Sequence, residues 1–391
     1  MSEPIIIVGA GQAGIKAAET LRMKGSEGKI LLIGEEGWPP YQRPPLSKAY
    51  LKGELSEDRL FLKANDYFAS ANVELMSGTR VAAIDPAAHA VTLADGKVLS
   101  YSKLLLATGT RARALPLPGA ELEGVFTLRG IDDTRRIADA LGKAESVAII
   151  GGGYIGMEFA AVARSTGKTV TVIEAQDRIL KRSVAPEISE FFRKLHEGHG
   201  VRLVLGEGVK GIAGSAYAEG VELVSGEPLA ADLVLVAAGA VPVTELAQAA
   251  GLIVERGIAV DAACRTSAPD IYAAGDCTVF PSRRYGRQIG LESVQNASDQ
   301  GKAAALSMLG EETVYDPVPW FWSDQYNVKL QIAGLAQGYD RTEIVGDPGE
   351  GRFALRYFAG DALLAVDAVN DPRSHMMARK ELAARGQAMA A

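Results

Sequence analysis

Two glycine-rich segments are the residues of this chain whose spacing most directly implies a chemistry. The first is Gly9-Ala10-Gly11-Gln12-Ala13-Gly14, and the second is Gly151-Gly152-Gly153-Tyr154-Ile155-Gly156. In this pattern the first glycine permits a tight turn, the second lets backbone approach a pyrophosphate, and the third lets strand and helix pack closely. Two copies predict two bound dinucleotides. Two dinucleotides held face to face are what hydride transfer between a nicotinamide and a flavin requires.

An acidic residue follows each glycine segment at the distance where a ribose would lie. Glu35 comes just after the apolar run 29–33, and Glu174 directly follows the run 170–173. A carboxylate at this strand tip accepts hydrogen bonds from ribose hydroxyls and repels a 2′-phosphate, so Glu174 favours NADH over NADPH. Three basic residues that follow it could offset part of this repulsion: Arg178, Lys181 and Arg182.

The strands and helices needed to position these loops are present twice. Short continuous apolar runs are typical of parallel strands that are buried on both faces. In each copy, one such run precedes the glycines, a helix pattern follows them, and a later run ends in small residues. The predicted strands are 5–8, 29–33, 104–109, 147–150, 170–173 and 233–239, and the predicted helices are 15–23 and about 157–166. We therefore expect two Rossmann-like units in tandem.

The last part of the chain has a different pattern of apolar and turn-forming residues. A further apolar strand delivers Asp276 directly after a glycine, and a helix is predicted from about 298 to 309. Five strand-like segments separated by turns then follow: 321–326, 329–333, 342–345, 353–358 and 363–367. This alternation predicts a third, β-rich domain.

Length and composition limit the function classes. A chain of 391 residues predicts two or three domains, and the net charge of −7 argues against nucleic acid as the main partner. There is no apolar run of membrane-spanning length and no secretory signal pattern, so we expect a cytoplasmic protein without a membrane span. Cys264 and Cys277 form no close-spaced motif. Ordinary reduced thiols, and no metal site, are therefore expected.

Longer segments add a family resemblance. The two most specific are Pro44-Pro45-Leu46-Ser47-Lys48 and Trp320-Phe321-Trp322-Ser323-Asp324-Gln325. Together with segments 41–51, 104–109, 151–158, 275–277, 292–297 and 319–326, they resemble the FAD-dependent NADH:ferredoxin reductases. The resemblance covers nearly the whole chain. The region after Val369 is shorter than is usual in that family, which leaves open any partner contact made there.

The resemblance implies an α/β fold of the glutathione-reductase type, with two tandem Rossmann-like FAD and NAD domains and a C-terminal α+β domain. The FAD-binding domain would be split between residues 1–109 and 238–310. The NADH-binding domain would be inserted as residues 110–237, and the C-terminal domain would be residues 311–391. In this arrangement the first glycine loop binds FAD and the second binds NADH.

The resemblance also implies which residues contact each cofactor. Those expected at FAD are Gly9, Gly11, Ala13, Gly14, Glu35, Arg43, Lys48, Val81, Ala107, Thr108, Arg129, Asp276, Val294 and Trp322. Those expected at NADH are Gly151, Gly153, Tyr154, Ile155, Gly156, Glu158, Glu174 and Gly239. Lys48 and Glu158 are the expected catalytic residues. Lys48 resembles a lysine beside the reactive edge of the flavin, and Glu158 resembles the residue that meets Lys48 and the nicotinamide carboxamide.

Simpler roles remain open for four of these residues. Lys48 could be a solvated turn residue, and Glu158 could be a carboxylate that only complements a helix dipole. Arg129 could be a surface residue before a helix cap, and Trp322 could simply fill the C-terminal core.

The absence of a cysteine pair from the first domain bears on the route by which electrons leave the flavin. Disulfide reductases of this architecture carry a cysteine pair in the first domain, whereas this chain has Ser47 in that region and no cysteine before Cys264. We therefore expect an outside acceptor: an acidic 2Fe–2S ferredoxin that supplies a haem monooxygenase or a Rieske-type oxygenase. The basic docking candidates are Arg43, Lys48, Lys52, Arg283, Arg284, Arg287 and Lys302.

Two alternatives stay open at this point. One is a reductase for rubredoxin, monodehydroascorbate or oxygen. The other is a flavoprotein that senses redox state without turning over. The sequence does not distinguish a monomer from a homodimer.

Overall fold

The computed structural model describes the backbone of residues 3–390 and the side chains of residues 3–384. The chain starts with a parallel sheet and a three-stranded antiparallel sheet. The elements of this part are β1 (Ile5–Val8), α1 (Gln12–Met23), β2 (Ile30–Ile33), α2 (Tyr67–Ser70), β3 (Val73–Met76), β4 (Val81–Asp85), β5 (Ala90–Leu93), β6 (Val98–Ser100), β7 (Lys103–Leu106) and β8 (Thr110–Ala112).

A second part repeats this plan. Its elements are β9 (Val125–Phe126), α3 (Ile131–Lys143), β10 (Ser146–Ile150), α4 (Tyr154–Ser165), β11 (Thr169–Glu174), α5 (Pro186–Gly198), β12 (Arg202–Leu205), β13 (Val209–Gly214), β14 (Ala218–Leu223), β15 (Pro228–Ala230), β16 (Leu233–Val236) and β17 (Ala240–Pro242).

The chain then returns to the first sheet before it forms the C-terminal sheet. The remaining elements are α6 (Glu245–Ala249), β18 (Ile258–Ala259), β19 (Ile271–Ala273), β20 (Thr278–Ser282), β21 (Arg287–Ile289), α7 (Val294–Met308), β22 (Trp320–Gln325), β23 (Val328–Gly334), β24 (Arg341–Asp347), β25 (Arg352–Ala359), β26 (Ala362–Val369) and α8 (Pro372–Ala390).

Each glycine loop follows the central strand of a five-stranded parallel sheet. The first sheet has the order β19-β7-β1-β2-β3, and the second has the order β12-β11-β10-β16-β9. β1 and β10 are apolar and largely buried because neighbouring strands and helices cover both faces. In such sheets, ligands bind outside the carboxyl ends of the strands. Both loops lie at that edge.

Three units follow from the sheets. The first unit is built on the sheet of β1, the second on the sheet of β10, and the C-terminal unit on the antiparallel sheet β22-β23-β26-β25-β24 with α8. The chain passes between the first two units twice, where β8 and β17 pair antiparallel. Because β19 joins the first sheet beside β7, residues from after the second unit complete the first.

The predicted parallel strands and the five C-terminal strands are all present, and most of them have shifted ends. Helices α4 and α7 start at Tyr154 and Val294, three to four residues earlier than the apolar pattern predicts. Ser293 caps α7 by accepting a hydrogen bond from the Asn296 amide. α8 was not predicted; it buries Ala378 and Leu382 beside the C-terminal sheet. Within residues 3–390, no helix is long and apolar enough to cross a membrane.

Helices α1 and α7 approach each other closely at Gly301. A Cβ atom at this position would overlap the carbonyl oxygen of Ala13, the second residue of α1. Gly301→Ala should therefore destabilise the protein by about 1–3 kcal/mol through overpacking. The measurement is the free energy of unfolding in denaturant.

A matched control is Gly142→Ala in α3, where a Cβ atom would meet no described atom within 4 Å. There, alanine should raise the free energy of unfolding by up to about 1 kcal/mol because it favours helix more than glycine does. Equal effects of the two substitutions would show that the close approach at Gly301 is not needed.

Candidate active site

The first glycine loop has the form of a pyrophosphate cradle. Cβ atoms at Gly9 and Gly14 would overlap the carbonyl oxygens of Ala107 and Gly9, respectively. At Gly11 a Cβ atom would meet no described atom within 4 Å. The outer glycines are therefore required by packing, whereas the middle one faces open space at the start of α1. This is the arrangement that a phosphate group needs to reach the helix N-terminus.

The second loop repeats this geometry. Cβ atoms at Gly151 and Gly156 would overlap the carbonyl oxygens of Ala237 and Gly151, and the position at Gly153 is open. α4 then starts at Tyr154. The predicted residue Ile155 is 43% exposed in the first turn of this helix. The chain therefore holds two equivalent cradles.

The two predicted ribose-binding acids lie where the sequence places them. Glu35 follows β2, is exposed, and forms a 3.7 Å ion pair with Arg80. Glu174 ends β11, and its two oxygens accept hydrogen bonds from the backbone amides of Gly152 (2.7 Å) and Gln176 (2.8 Å). Glu174 is thus tied to its glycine loop, with its orientation set by backbone.

Arg129 and Asp276 meet beside the first cradle. Arg129 Nη2 lies 3.6 Å from Asp276 Oδ2. Arg129 Nε and Asp276 Oδ1 are buried without a hydrogen-bond partner among the described residues. Burial raises the pKa of Asp276 to about 6 and lowers the pKa of Arg129. A buried polar atom without a hydrogen-bond partner costs stability. A pyrophosphate could accept a hydrogen bond from Arg129 Nε, and a sugar hydroxyl could donate one to Asp276 Oδ1. The residues therefore fit an extended dinucleotide.

A carboxylate that the sequence analysis did not single out holds Arg43. Glu36 accepts hydrogen bonds from Arg43 Nη2 and the Tyr41 hydroxyl. Arg43 Nη1 also donates to the Tyr41 hydroxyl and the Arg129 carbonyl, each at 2.8 Å. Arg43 is thus built into the wall beside Arg129. The adjacent Glu35-Glu36 pair was the available signal, but only the folded loop shows which carboxylate pairs.

The other residues predicted to contact FAD lie in several elements of the first unit. Ala13 packs against Gly275, the residue before Asp276; a Cβ atom there would lie 3.1 Å from the Ala13 Cβ. Val81 is buried at the start of β4, and Val294 is the first residue of α7. The Thr108 hydroxyl donates to the Val243 carbonyl at 2.6 Å, so this side chain fixes the loop after β7.

The tryptophans of the C-terminal unit form a stack. The rings of Trp320 and Trp322 have centroids 5.7 Å apart with an interplanar angle of 29°. Between them in the chain, Phe321 packs on Tyr154 of the second loop at 4.7 Å. Phe321 of β22 therefore lies beside the second cradle. Gly239 also lies near that cradle, with Arg182 and Arg113 as its neighbours.

The predicted catalytic pair is formed. Lys48 Nζ lies 2.6 Å from Glu158 Oε2, and the two side chains are 19% and 5% exposed. Lys48 directly follows the 3₁₀ turn Pro44–Ser47, and Glu158 lies in the second turn of α4. The ion pair thus joins the first and second units.

Two hydroxyl groups complete the surroundings of Glu158. Ser47 Oγ donates to Glu158 Oε2 and Ser323 Oγ donates to Glu158 Oε1, both at 2.7 Å. Ser323 comes from β22 of the C-terminal unit. Sequence reasoning did not assign a role to Ser323, although it lies in the Trp-Phe-Trp-Ser-Asp-Gln segment. The Glu158 carboxylate therefore accepts hydrogen bonds from both the first unit and the C-terminal unit.

Neither cysteine is available for electron relay near this pair. Cys264 and Cys277 are both buried and unpaired. Burial raises the pKa of both thiols, so each stays protonated. Within residues 3–384 there is no group of three His, Cys, Asp or Glu side chains that could hold a metal ion.

Comparison with known proteins identifies the family. The model of the pyridine nucleotide-disulphide oxidoreductases matches residues 3–301, and that of the reductase C-terminal domain matches residues 320–391. The chain belongs to the pyridine nucleotide-disulphide oxidoreductase family. Members use FAD and NAD(P)H, and the predictions of an enzyme with these cofactors and of the glutathione-reductase-like α/β fold are confirmed.

The relatives of this family member are electron-transfer flavoproteins. Rhodocoxin reductase of Rhodococcus erythropolis is 45% identical over 380 residues, which are 97% of this chain and 89% of the relative. The putidaredoxin reductase in its covalent complex with putidaredoxin superposes with a TM-score of 0.95 at 39% identity, covering 97% and 93% of the two chains. The ferredoxin reductase for the CYP199A2 system of Rhodopseudomonas palustris also gives 0.95, at 41% identity, covering 97% and 94%.

Removal of the Lys48 charge should slow reduction of the flavin. The family resemblance implies that Lys48 lies beside the reactive edge of the flavin, so Lys48→Met should remove a cation that stabilises negative charge developing on the reduced ring. We expect the limiting rate of flavin reduction by NADH to fall about 100-fold. Stopped-flow absorbance measures this rate.

The control is Lys52→Met in the same segment, where the ammonium group lies 4.0 Å from Glu54. FAD content, read from the visible spectrum, should match in the two variants. If the flavin is reduced at equal rates in Lys48→Met and Lys52→Met, Lys48 is not a catalytic residue.

Proposed function

We propose that this protein takes electrons from NADH and passes them, through FAD, one at a time to a 2Fe–2S ferredoxin. The observation that supports this most is the buried Lys48–Glu158 pair, which joins the first and second units with a serine, and not a cysteine, beside it. FAD accepts two electrons as hydride and releases them singly. Without a thiol relay, the electrons must leave the protein directly.

In this proposal the two cradles have different occupants. The first holds FAD, with Arg129 and Asp276 at the pyrophosphate and sugar end, and the second holds NADH. Lys48 lies at the reactive edge, and Glu158 holds the nicotinamide carboxamide. The corresponding domain division is 1–109 with 238–310 for FAD, 110–237 for NADH, and 311–391 for the C-terminal domain.

The proposed docking face for an acidic ferredoxin lies at Trp320. Arg379 of α8 places its guanidinium 4.8 Å from the Trp320 ring centre, and Trp320 stacks on Trp322, the proposed flavin wall. Lys380 lines the same surface cleft. Arg283, Arg287 and Lys302 are exposed basic residues that could extend the face.

Three of the basic residues suggested by the sequence are engaged elsewhere. Arg43 and Lys48 pair with Glu36 and Glu158 inside the site. Arg284 donates to the Leu382 carbonyl of α8. These contacts leave α8 and the exposed arginines as the better candidates for docking.

The test is NADH-dependent reduction of cytochrome c with and without added 2Fe–2S ferredoxins. Turnover should require the ferredoxin, and its KM should rise steeply with ionic strength because opposite charges attract less at high salt. Fast turnover with rubredoxin, or fast direct consumption of oxygen, would show that rubredoxin or oxygen, and not ferredoxin, is the acceptor. A long-lived flavin–NAD complex without turnover would contradict the enzymatic function.

The structure supports NADH over NADPH as the reductant. Arg178 Nη1 donates to the Val184 carbonyl at 2.8 Å and to Ser189 Oγ at 2.6 Å, and Lys181 pairs with Asp177 at 3.0 Å. Two of the three cations that could offset Glu174 are therefore engaged. Arg182 is the remaining exposed candidate.

Kinetics with both nucleotides test this preference. We expect kcat/KM for NADH to exceed that for NADPH by about tenfold or more, since Glu174 repels a 2′-phosphate. Glu174→Gln should lower the ratio of kcat/KM for NADH to kcat/KM for NADPH, mainly by raising kcat/KM for NADPH. Glu207→Gln serves as control, because the Glu207 carboxylate accepts hydrogen bonds from the Gly208 and Ser225 amides and pairs with none of the three cations. An unchanged ratio in Glu174→Gln would contradict the proposal.

A further inference from the structure

A row of buried polar side chains runs from Glu158 away from Lys48. We propose that Ser323, Gln325 and His196 form a positioning chain that holds the Glu158 carboxylate in its working orientation. Ser323 Oγ lies 2.7 Å from Glu158 Oε1, Gln325 Nε2 lies 3.3 Å from Ser323 Oγ, and His196 Nε2 lies 2.8 Å from Gln325 Oε1. All four side chains are buried.

The chemistry of these groups allows one direction of donation along the chain. The Glu158 carboxylate, paired with Lys48, only accepts hydrogen bonds, so the Ser323 hydroxyl proton must point to it. Ser323 Oγ is then the acceptor for the Gln325 amide NH₂. The Gln325 carbonyl oxygen in turn requires a donor, which is the Nε2–H of His196. Every bond in the chain therefore points toward Glu158.

His196 is suited to end such a chain. It lies in the last turn of α5, and burial lowers its pKa to about 4, so the ring is neutral at pH 7. A neutral ring carries one N–H, and the bond to Gln325 places it on Nε2. His196 Nδ1 is then an unprotonated nitrogen, and it has no partner among the described residues.

The chain fixes the oxygen of Glu158 that the catalytic lysine does not touch. Lys48 and Ser47 both bind Oε2, so without Ser323 the carboxylate could turn about its last side-chain bond. Holding both oxygens keeps the carboxylate plane fixed, which is what placing a substrate amide requires. The inference rests on the proposed function, in which Glu158 meets the nicotinamide carboxamide.

Ser323→Ala is the principal variant, and Ser282→Ala is its matched control. Ser282 is also a buried serine that donates to a carboxylate, Asp316, at 2.9 Å. Loss of a hydrogen bond to a charged group predicts about a tenfold fall in the limiting rate of flavin reduction in Ser323→Ala. We expect no change in that rate in Ser282→Ala, and recovery in Ser323→Thr, which restores the hydroxyl.

Two readouts do not depend on activity. Calorimetry of the resting FAD-loaded protein should give weaker NAD⁺ binding in Ser323→Ala than in Ser282→Ala. With four histidines in the chain, ¹⁵N-histidine NMR can resolve His196. It should show the Nε2–H form in the wild type and a shifted signal in Gln325→Leu, which removes the acceptor.

The outcomes separate the two proposals. If the wild type reduces its flavin with NADH but Ser323→Ala matches Ser282→Ala in rate and NAD⁺ affinity, the positioning chain is wrong and the proposed function stands. If NADH does not reduce the wild-type flavin, the proposed function is wrong. The NMR result then decides the chain: an Nδ1–H form of His196 overturns it, and the Nε2–H form supports it.

Discussion

The ion pair between Lys48 and Glu158 is the contact on which the rest of the active site depends. A buried pair is stabilising only when hydrogen bonds satisfy the remaining lone pairs, because both ions lose their water on burial. Ser47 and Ser323 supply those bonds to the two oxygens of Glu158. The first, second and C-terminal units must therefore be packed together before this carboxylate is satisfied. The site forms only in the assembled fold.

The two glycine loops also depend on close packing, in their case through backbone contacts. Gly14 and Gly156 let a helix approach its strand so closely that a side chain would overlap a carbonyl oxygen. That close approach aims the free amides at the start of α1 and α4 at a phosphate. At the first cradle, Arg129 and Asp276 keep unpaired buried atoms that a dinucleotide would satisfy. Binding of a dinucleotide there should therefore stabilise the folded state as well as supply the chemistry.

The position of Ser47 links the architecture to the direction of electron flow. A thiol at this place would make an internal relay possible, whereas the Ser47 hydroxyl is committed to Glu158. Both cysteines of the chain are buried and protonated elsewhere. In the proposed function, the stack of Trp322 and Trp320, with Arg379 over the Trp320 ring, is the basic surface at which the electron acceptor docks. Reductant and acceptor would thus meet the flavin from different units.

Local pattern determined the repeated Rossmann plan, the two glycine loops, the acids after them and the C-terminal strands, because turn chemistry and apolar periodicity act over a few residues. Family resemblance added Lys48 and Glu158 as partners. The long-range contacts needed the tertiary structure: Lys48 reaches Glu158 across 110 residues, Ser323 reaches it across 165, and His196 reaches Gln325 across 129. No periodicity encodes such pairs, since they exist only where separately folded units pack. The sequence alone determined which cofactors this protein binds, and packing decided which side chains meet where the three units join.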